Sequence, residues 1–189
     1  MKIDITRDKL RDATRKLMSE CDSPLEVTSR SIAKEAGVQL AMINYCFGSR
    51  EALIFEVFQT MSSVVIDQNP EMSEIMNSDM TPKEKLKKMH MIVTKFLLNN
   101  LSFSRAITKY VLLNRDLSRQ LNSLPFVRAH YGGRKSEQEL KLISYELSSV
   151  LQLAVYRHEA IHDFCGLDIR REEDLEKFIN MQIDLFLAD

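Results

Sequence analysis

The sequence predicts an all-α protein with a small N-terminal helix-turn-helix head and a larger helical C-terminal body. Five glycines and four prolines in 189 residues leave little turn material for a strand-rich fold. Apolar residues recur three and four apart through most of the chain, the spacing of one helix face. Helix-start signals recur as well: Thr81-Pro82-Lys83-Glu84 and Ser136 with Glu139 both read as capping boxes. The expected division is 1–50 for the head and 51–189 for the body.

The first helix is expected from about Thr6 to Glu20, with Leu10, Ala13 and Leu17 inward. Arg7, Arg11 and Arg15 lie on its outward face, interleaved with Asp8 and Asp12. Asp22-Ser23-Pro24 breaks it. Thr28 is the N-cap candidate for a second helix whose apolar face is Ile32, Ala33 and Ala36, and Gly37 closes it where positive φ is needed. A third short helix follows over Gln39 to Cys46. Ile43 and Phe47, four apart, share its buried face, so Ala41, Met42, Asn44 and Tyr45 project the other way, with Gln39 and Leu40 at the N-terminal edge. A small, neutral surface able to hydrogen-bond, on a short helix held by a tight turn, suits the major groove of DNA.

Gly48-Ser49 makes the next turn and cap, and a helix from Arg50 to about Asp67 turns Leu53, Val57 and Met61 inward. Residues 70–80 are poorly patterned and read as a loop or short helix. The Thr81 capping box opens a helix to about Asn100, with Leu86, Met89, Val93, Phe96 and Leu97 inward. Further helices are expected over Ser104 to Arg115 and Leu117 to Ser123, before Pro125, and Gly132-Gly133 is a break. The Ser136 box opens a long helix to about Cys165, closed by Gly166. The last, Glu172 to Leu187, carries the wide apolar stripe Leu175, Phe178, Ile179, Ile183, Phe186 and Leu187.

Composition narrows the function. A net charge of −1 excludes a uniformly basic nucleic-acid binder. Residues 1 to 50 nevertheless hold nine Lys/Arg against seven Asp/Glu. Cys21, Cys46 and Cys165 are an odd set without CxxC spacing, which fits a reduced cytoplasm. No apolar run approaches a membrane span.

The stretch Ala36-Gly37-Val38, a short helix ending in Tyr45 and Phe47, then Ser49-basic-Glu51-x-Leu53, resembles the DNA-binding signature of the TetR family of transcriptional regulators. The resemblance runs from about Thr6 to about Met61. It implies that Thr28 and Ser29 at a helix N-terminus, together with Tyr45 and Arg50, hold phosphate, while Gln39, Leu40, Ala41, Met42 and Asn44 face base edges. Asn44 stands where the family often has an aromatic, Leu40 where it often has lysine, and Arg50 replaces the usual lysine with the charge kept. The resemblance also implies a homodimer through the two C-terminal helices, a near-palindromic DNA operator, and a small-molecule effector that releases a repressor. Within the body, His90, Arg105, Tyr110, Asn114, His130 and Tyr131 are the polar side chains best placed to orient such an effector. No cofactor or metal is implied.

Two other classes compete. His158-Glu159-Ala160-Ile161-His162 is the HExxH spacing of zinc metallopeptidases, in which both histidines would bind metal and Glu159 would act as base. The continuation fails, since Cys165 and Asp168 stand where one such class has its glycine and third histidine. The other is a helical interaction module without DNA binding.

Overall fold

The computed structural model describes residues 2–21, 26–114, 117 and 121–188, and the side chains of all these except 2, 62 and 65–67. Among the described residues there are eleven helices and no strand. They are α1 (Lys2–Glu20), α2 (Ser29–Ala36), α3 (Ala41–Phe47), α4 (Arg50–Asp67), α5 (Pro70–Asn77) and α6 (Pro82–Asn99). Then follow α7 (Leu101–Asn114), α8 (Leu124–Tyr131), α9 (Glu137–Tyr156), α10 (His158–Cys165) and α11 (Glu172–Phe186). No described helix is long and apolar enough to cross a membrane.

The chain forms two compact units, one of residues 1–64 with 102–115 and the other of 65–101 with 116–189. In the first, α1 packs on α2 and α3. Its core is Leu10, Val27, Ile32, Ile43, Leu53, Ile54, Val57 and Phe58, each 5 % exposed or less. Burying a side chain of this size stabilises a fold by about 1.5–3 kcal/mol. From α7, Phe103 stacks on Phe58 at 6.4 Å and Tyr110 meets Phe55 at 5.5 Å between ring centroids.

In the second unit α6 packs against α8, α9 and α11. Lys83 and Lys87 both reach Asp184, at 3.0 and 2.8 Å, and Lys95 reaches Glu172 at 2.6 Å, so α6 and α11 run antiparallel. Leu86, Val127, Leu147, Ile169, Leu175, Ile179, Ile183 and Leu187 fill the core, and the other two members of the predicted α11 stripe, Phe178 and Phe186, pack against it partly buried. Both capping boxes form: the Thr81 and Ser136 side chains accept from the Glu84 and Glu139 amides while the two carboxylates accept from the cap residues.

Several boundaries differ from expectation. Helix α1 begins at Lys2, about a turn early. Of the loop or short helix expected over 70–80, residues 70–77 take the helix, because Asn69 caps them through the Glu71 amide and Pro70 sits in the first turn. Helix α8, absent from the expected elements, contains the proline expected to follow a helix over Leu117 to Ser123. Pro125 falls in the first helical turn, where a missing N–H leaves nothing unsatisfied. Of the helix expected over Leu117 to Ser123, Leu117 and Leu121 to Ser123 are not helical and 118–120 lie outside the described residues, as does the whole Asp22-Ser23-Pro24 break. The long helix after Ser136 divides at Arg157, whose φ of −107° and ψ of 25° separate α9 from α10.

Candidate nucleic-acid interface

The turn between α2 and α3 follows from its residues. Thr28 has extended backbone and its hydroxyl accepts from the Ser31 amide at 3.0 Å, closing the N-terminus of α2. At the other end Gly37 takes φ 64° and ψ 36°, so that its own amide meets the Lys34 carbonyl at 3.2 Å and the Val38 amide meets that of Ala33 at 3.0 Å. This pair of bonds is a Schellman closure, and only glycine enters it without strain. Two bonds then start α3, from the Met42 amide to Gln39 and from the Ile43 amide to Leu40. Gly48, at φ 79°, ends it by donating to the Asn44 carbonyl.

Helix α3 buries Ile43 and Cys46. Phe47 is only partly covered. Gln39, Leu40, Ala41 and Asn44 are exposed, Met42 is half-buried, and Tyr45 is 68 % exposed. All six are accessible, and Leu40 and Tyr45 are the large apolar side chains among them. At the start of α2, Thr28 is exposed and Ser29 half-buried.

Arg50 is already engaged. It pairs with Glu51 at 3.0 Å, and a guanidinium nitrogen lies 3.5 Å from the Val27 carbonyl. The α1 arginines have partners beyond their helix. The interleaved carboxylates pair with two of them, Asp8 with Arg11 at 2.9 Å and Asp12 with Arg15 at 3.0 Å. In addition, Arg7 reaches the Cys46 carbonyl and Arg11 reaches Glu56 on α4. Sequence reasoning missed these contacts because the partners lie 39 and 45 residues away.

With this geometry the chain can be compared with known proteins. It superposes on the crystal structure of a TetR transcriptional regulator from Rhodococcus sp. RHA1 with a TM-score of 0.58 and 18 % identity, covering 98 % of this chain and 97 % of that one. The fold is that of a TetR regulator. No protein-family model and no curated protein matches the sequence. Within this TetR fold, α2 and α3 are the helix-turn-helix pair that the residues around Gly37 suggested.

The candidate effector residues are divided. His90 and Tyr131 belong to the second unit, while Arg105, Tyr110 and Asn114 lie on α7 in the first. Tyr131 donates its hydroxyl to the Phe186 carbonyl at 2.7 Å, and the Asn114 amide donates to the Tyr110 carbonyl at 3.2 Å, so both have structural partners. His90 is different. It is 3 % exposed, its Nδ1 has no hydrogen-bond partner among the described residues, and burial pushes its pKa down to about 4. Gln182 is similar: its amide donates to the Leu147 carbonyl at 3.0 Å, but its Oε1 is buried without a partner. His130 Nε2 is a third such atom.

The HExxH residues do not assemble as a metallopeptidase requires. His158 is buried, 2 % exposed, whereas Glu159 and His162 face outward. The Glu159 carboxylate stands 4.0 Å from His158 Nε2. Among the described residues no group of three or more His, Cys, Asp or Glu is placed to hold a metal.

Proposed function

We propose that this protein is a sequence-specific DNA-binding transcriptional regulator that responds to a small molecule and acts, as a homodimer, as a repressor. The observation that carries the reading is the exposed surface of α3, from Gln39 to Tyr45, on a two-turn helix whose ends are fixed by Gly37 and Gly48. Gln39 and Asn44 can pair with adenine edges, and Leu40, Ala41 and Met42 can meet thymine methyls. Thr28, Ser29, Tyr45 and Arg50 would hold phosphates, Arg50 after exchanging Glu51 for the DNA backbone. Two copies would place their α3 helices in successive major grooves about 34–36 Å apart on a near-palindromic operator.

Support for self-association comes from α9 and α11. Leu142, Val150 and Leu153 on α9, and Met181 and Leu185 on α11, are exposed apolar side chains on helices that also supply the core. The effector would enter the body, where His90, uncharged near neutral pH, offers an uncommitted polar atom. Binding would shift α4 and with it the spacing of the two reading helices. A differential affinity of about 2.7 kcal/mol between the two states lowers operator binding about a hundredfold.

Selection of bound duplexes from random DNA tests the reading directly, and recovery of a near-palindromic consensus is the expected result. On that duplex, Tyr45→Ala and Arg50→Ala should each weaken binding, and Arg50→Ala, which removes a charge that neutralises phosphate, should also lower the salt slope by about one while Tyr45→Ala leaves it unchanged. A protein that enriches no sequence is not such a regulator.

A further inference from the structure

Helix α3 has seven residues, too few to hold its own direction. Its last carbonyls have no intrahelical donor and carry the negative end of the helix dipole. Arg7 of α1 meets that end: Nη1 donates to the Cys46 carbonyl at 2.6 Å, and the guanidinium lies 4.6 Å from the centre of the Phe47 ring. One turn along α1, Arg11 approaches the same ring at 5.7 Å and donates to Glu56 of α4 at 2.7 Å. Glu56 is also 3.8 Å from Arg7. Three helices thus meet at one ring, one carbonyl and one carboxylate. The side chains of Arg7, Arg11 and Glu56 are 34, 33 and 37 % exposed, so the cluster is substantially screened from solvent.

We propose that Arg7, Arg11, Phe47 and Glu56 form a latch that sets the pitch of the reading helix against α1 and α4, so that the two arginines act as positioning residues and not as phosphate contacts. The inference rests on the DNA-binding reading of the head. Its chemistry is specific to arginine, because a planar guanidinium can donate to an oxygen from its edge while stacking on an aromatic face. Glu56 also makes the latch a route between helices: a movement of α4 that draws Glu56 away frees Arg11 and loosens the wedge on Phe47. The base-reading surface would then tilt although no residue in it has changed.

Position and charge predict opposite results for Glu56→Gln. Removing a negative charge from a DNA-binding head should tighten its hold on any duplex if Glu56 acts only through the surface field. Loosening the latch should weaken binding to the duplex recovered by selection, by about tenfold, and leave an unrelated duplex of equal length bound as before. Arg7→Gln should do the same with the salt slope unchanged, and Arg7→Lys should not rescue it. Tighter binding of both duplexes by Glu56→Gln, or equal loss on both with a slope lower by about one for Arg7→Gln, would overturn the proposal.

A second measurement needs no DNA. Amide hydrogen exchange from Ile43 to Gly48 should quicken about tenfold in Arg7→Gln while Ile32 and Ala33 of α2 keep their protection. Unchanged exchange in α3 refutes the latch even if no duplex is ever selected, and failure of the selection alone refutes only the DNA reading.

Discussion

Side chains of both the head and the body cross between elements to partners, but among the described residues only the body also buries polar atoms that have none. In the head, side chains that cross between elements end on partners: Arg7 on the Cys46 carbonyl, Arg11 on Glu56, Lys16 on Glu35. In the body, His90 Nδ1, Gln152 Oε1 and Gln182 Oε1 are buried with no hydrogen-bond partner among the described residues. A buried polar atom left in that state costs about 1–3 kcal/mol. The head therefore uses its polar groups to hold a shape whose outer surface remains available. The body also holds polar capacity that its own chain does not use, and an effector could use it.

The largest effect expected in the head is apolar. Ile43, 1 % exposed, is the anchor that turns the rest of α3 outward, and Ile43→Ala should destabilise the protein by about 2–5 kcal/mol in a urea titration. A smaller loss would mean that α3 collapses onto its neighbours, and the exposed surface would then depend less on this anchor than on the caps.

The corresponding test of the body is a pH dependence. His90 has a folded pKa near 4 against about 6.5 in an unfolded chain, so between these values the unfolded state binds a proton that the folded state does not. Its contribution is fully present above the unfolded value and is lost as pH falls through this window, amounting to about 2 kcal/mol by pH 5. Denaturation between pH 7.5 and 5 should show that slope, and His90→Leu should remove it. The lower limit avoids Glu84 and Glu139, whose capping hydrogen bonds hold their carboxyls below the ordinary range and whose stabilisation fades only as pH falls through and below it. A slope that persists in His90→Leu would mean that a group other than His90 carries it, and the contrast between the two units would weaken.

The same contrast explains what could be read in advance. Caps and turns are local, so Thr28, Gly37, Thr81, Ser136 and Gly166 identify helix ends from a few neighbouring residues. The α11 stripe is periodic and equally plain. Pro125 misled because a proline just past the end of one helix and one in the first turn of the next look alike in sequence. The latch was hidden for another reason: nothing near Arg7 or Arg11 distinguishes an arginine facing water from one facing a distant carbonyl or Glu56. His90 did carry a signal. Leu86, His90 and Thr94 are four apart, and all three are buried, so the inward face of α6 runs through the histidine while Phe96 and Leu97 are only partly covered. The HExxH spacing failed for the converse reason, since it specifies which residues are four apart but not which way α10 is turned.

A smaller effect sharpens the description of the head. Thr28→Ala removes the hydroxyl that accepts from the Ser31 amide and should cost about 1 kcal/mol, read as a shift in the urea midpoint at unchanged slope. If Thr28 also meets phosphate, binding to the selected duplex should weaken by more than this loss of stability explains. Thr28→Ser, which keeps the cap, should retain both.

The smallest effect on stability belongs to the residue expected to matter most for binding. Tyr45 is 68 % exposed and lies on the outward side of α3, away from Ile43 and Cys46, so little of its ring is lost from the core on truncation. Tyr45→Ala should therefore change the unfolding free energy by less than about 0.5 kcal/mol. An aromatic ring held in water contributes almost nothing to the fold, so its truncation separates an effect on binding from one on stability. If the variant instead melts early, Tyr45 packs on its own helix, and the outward surface is smaller by its largest member.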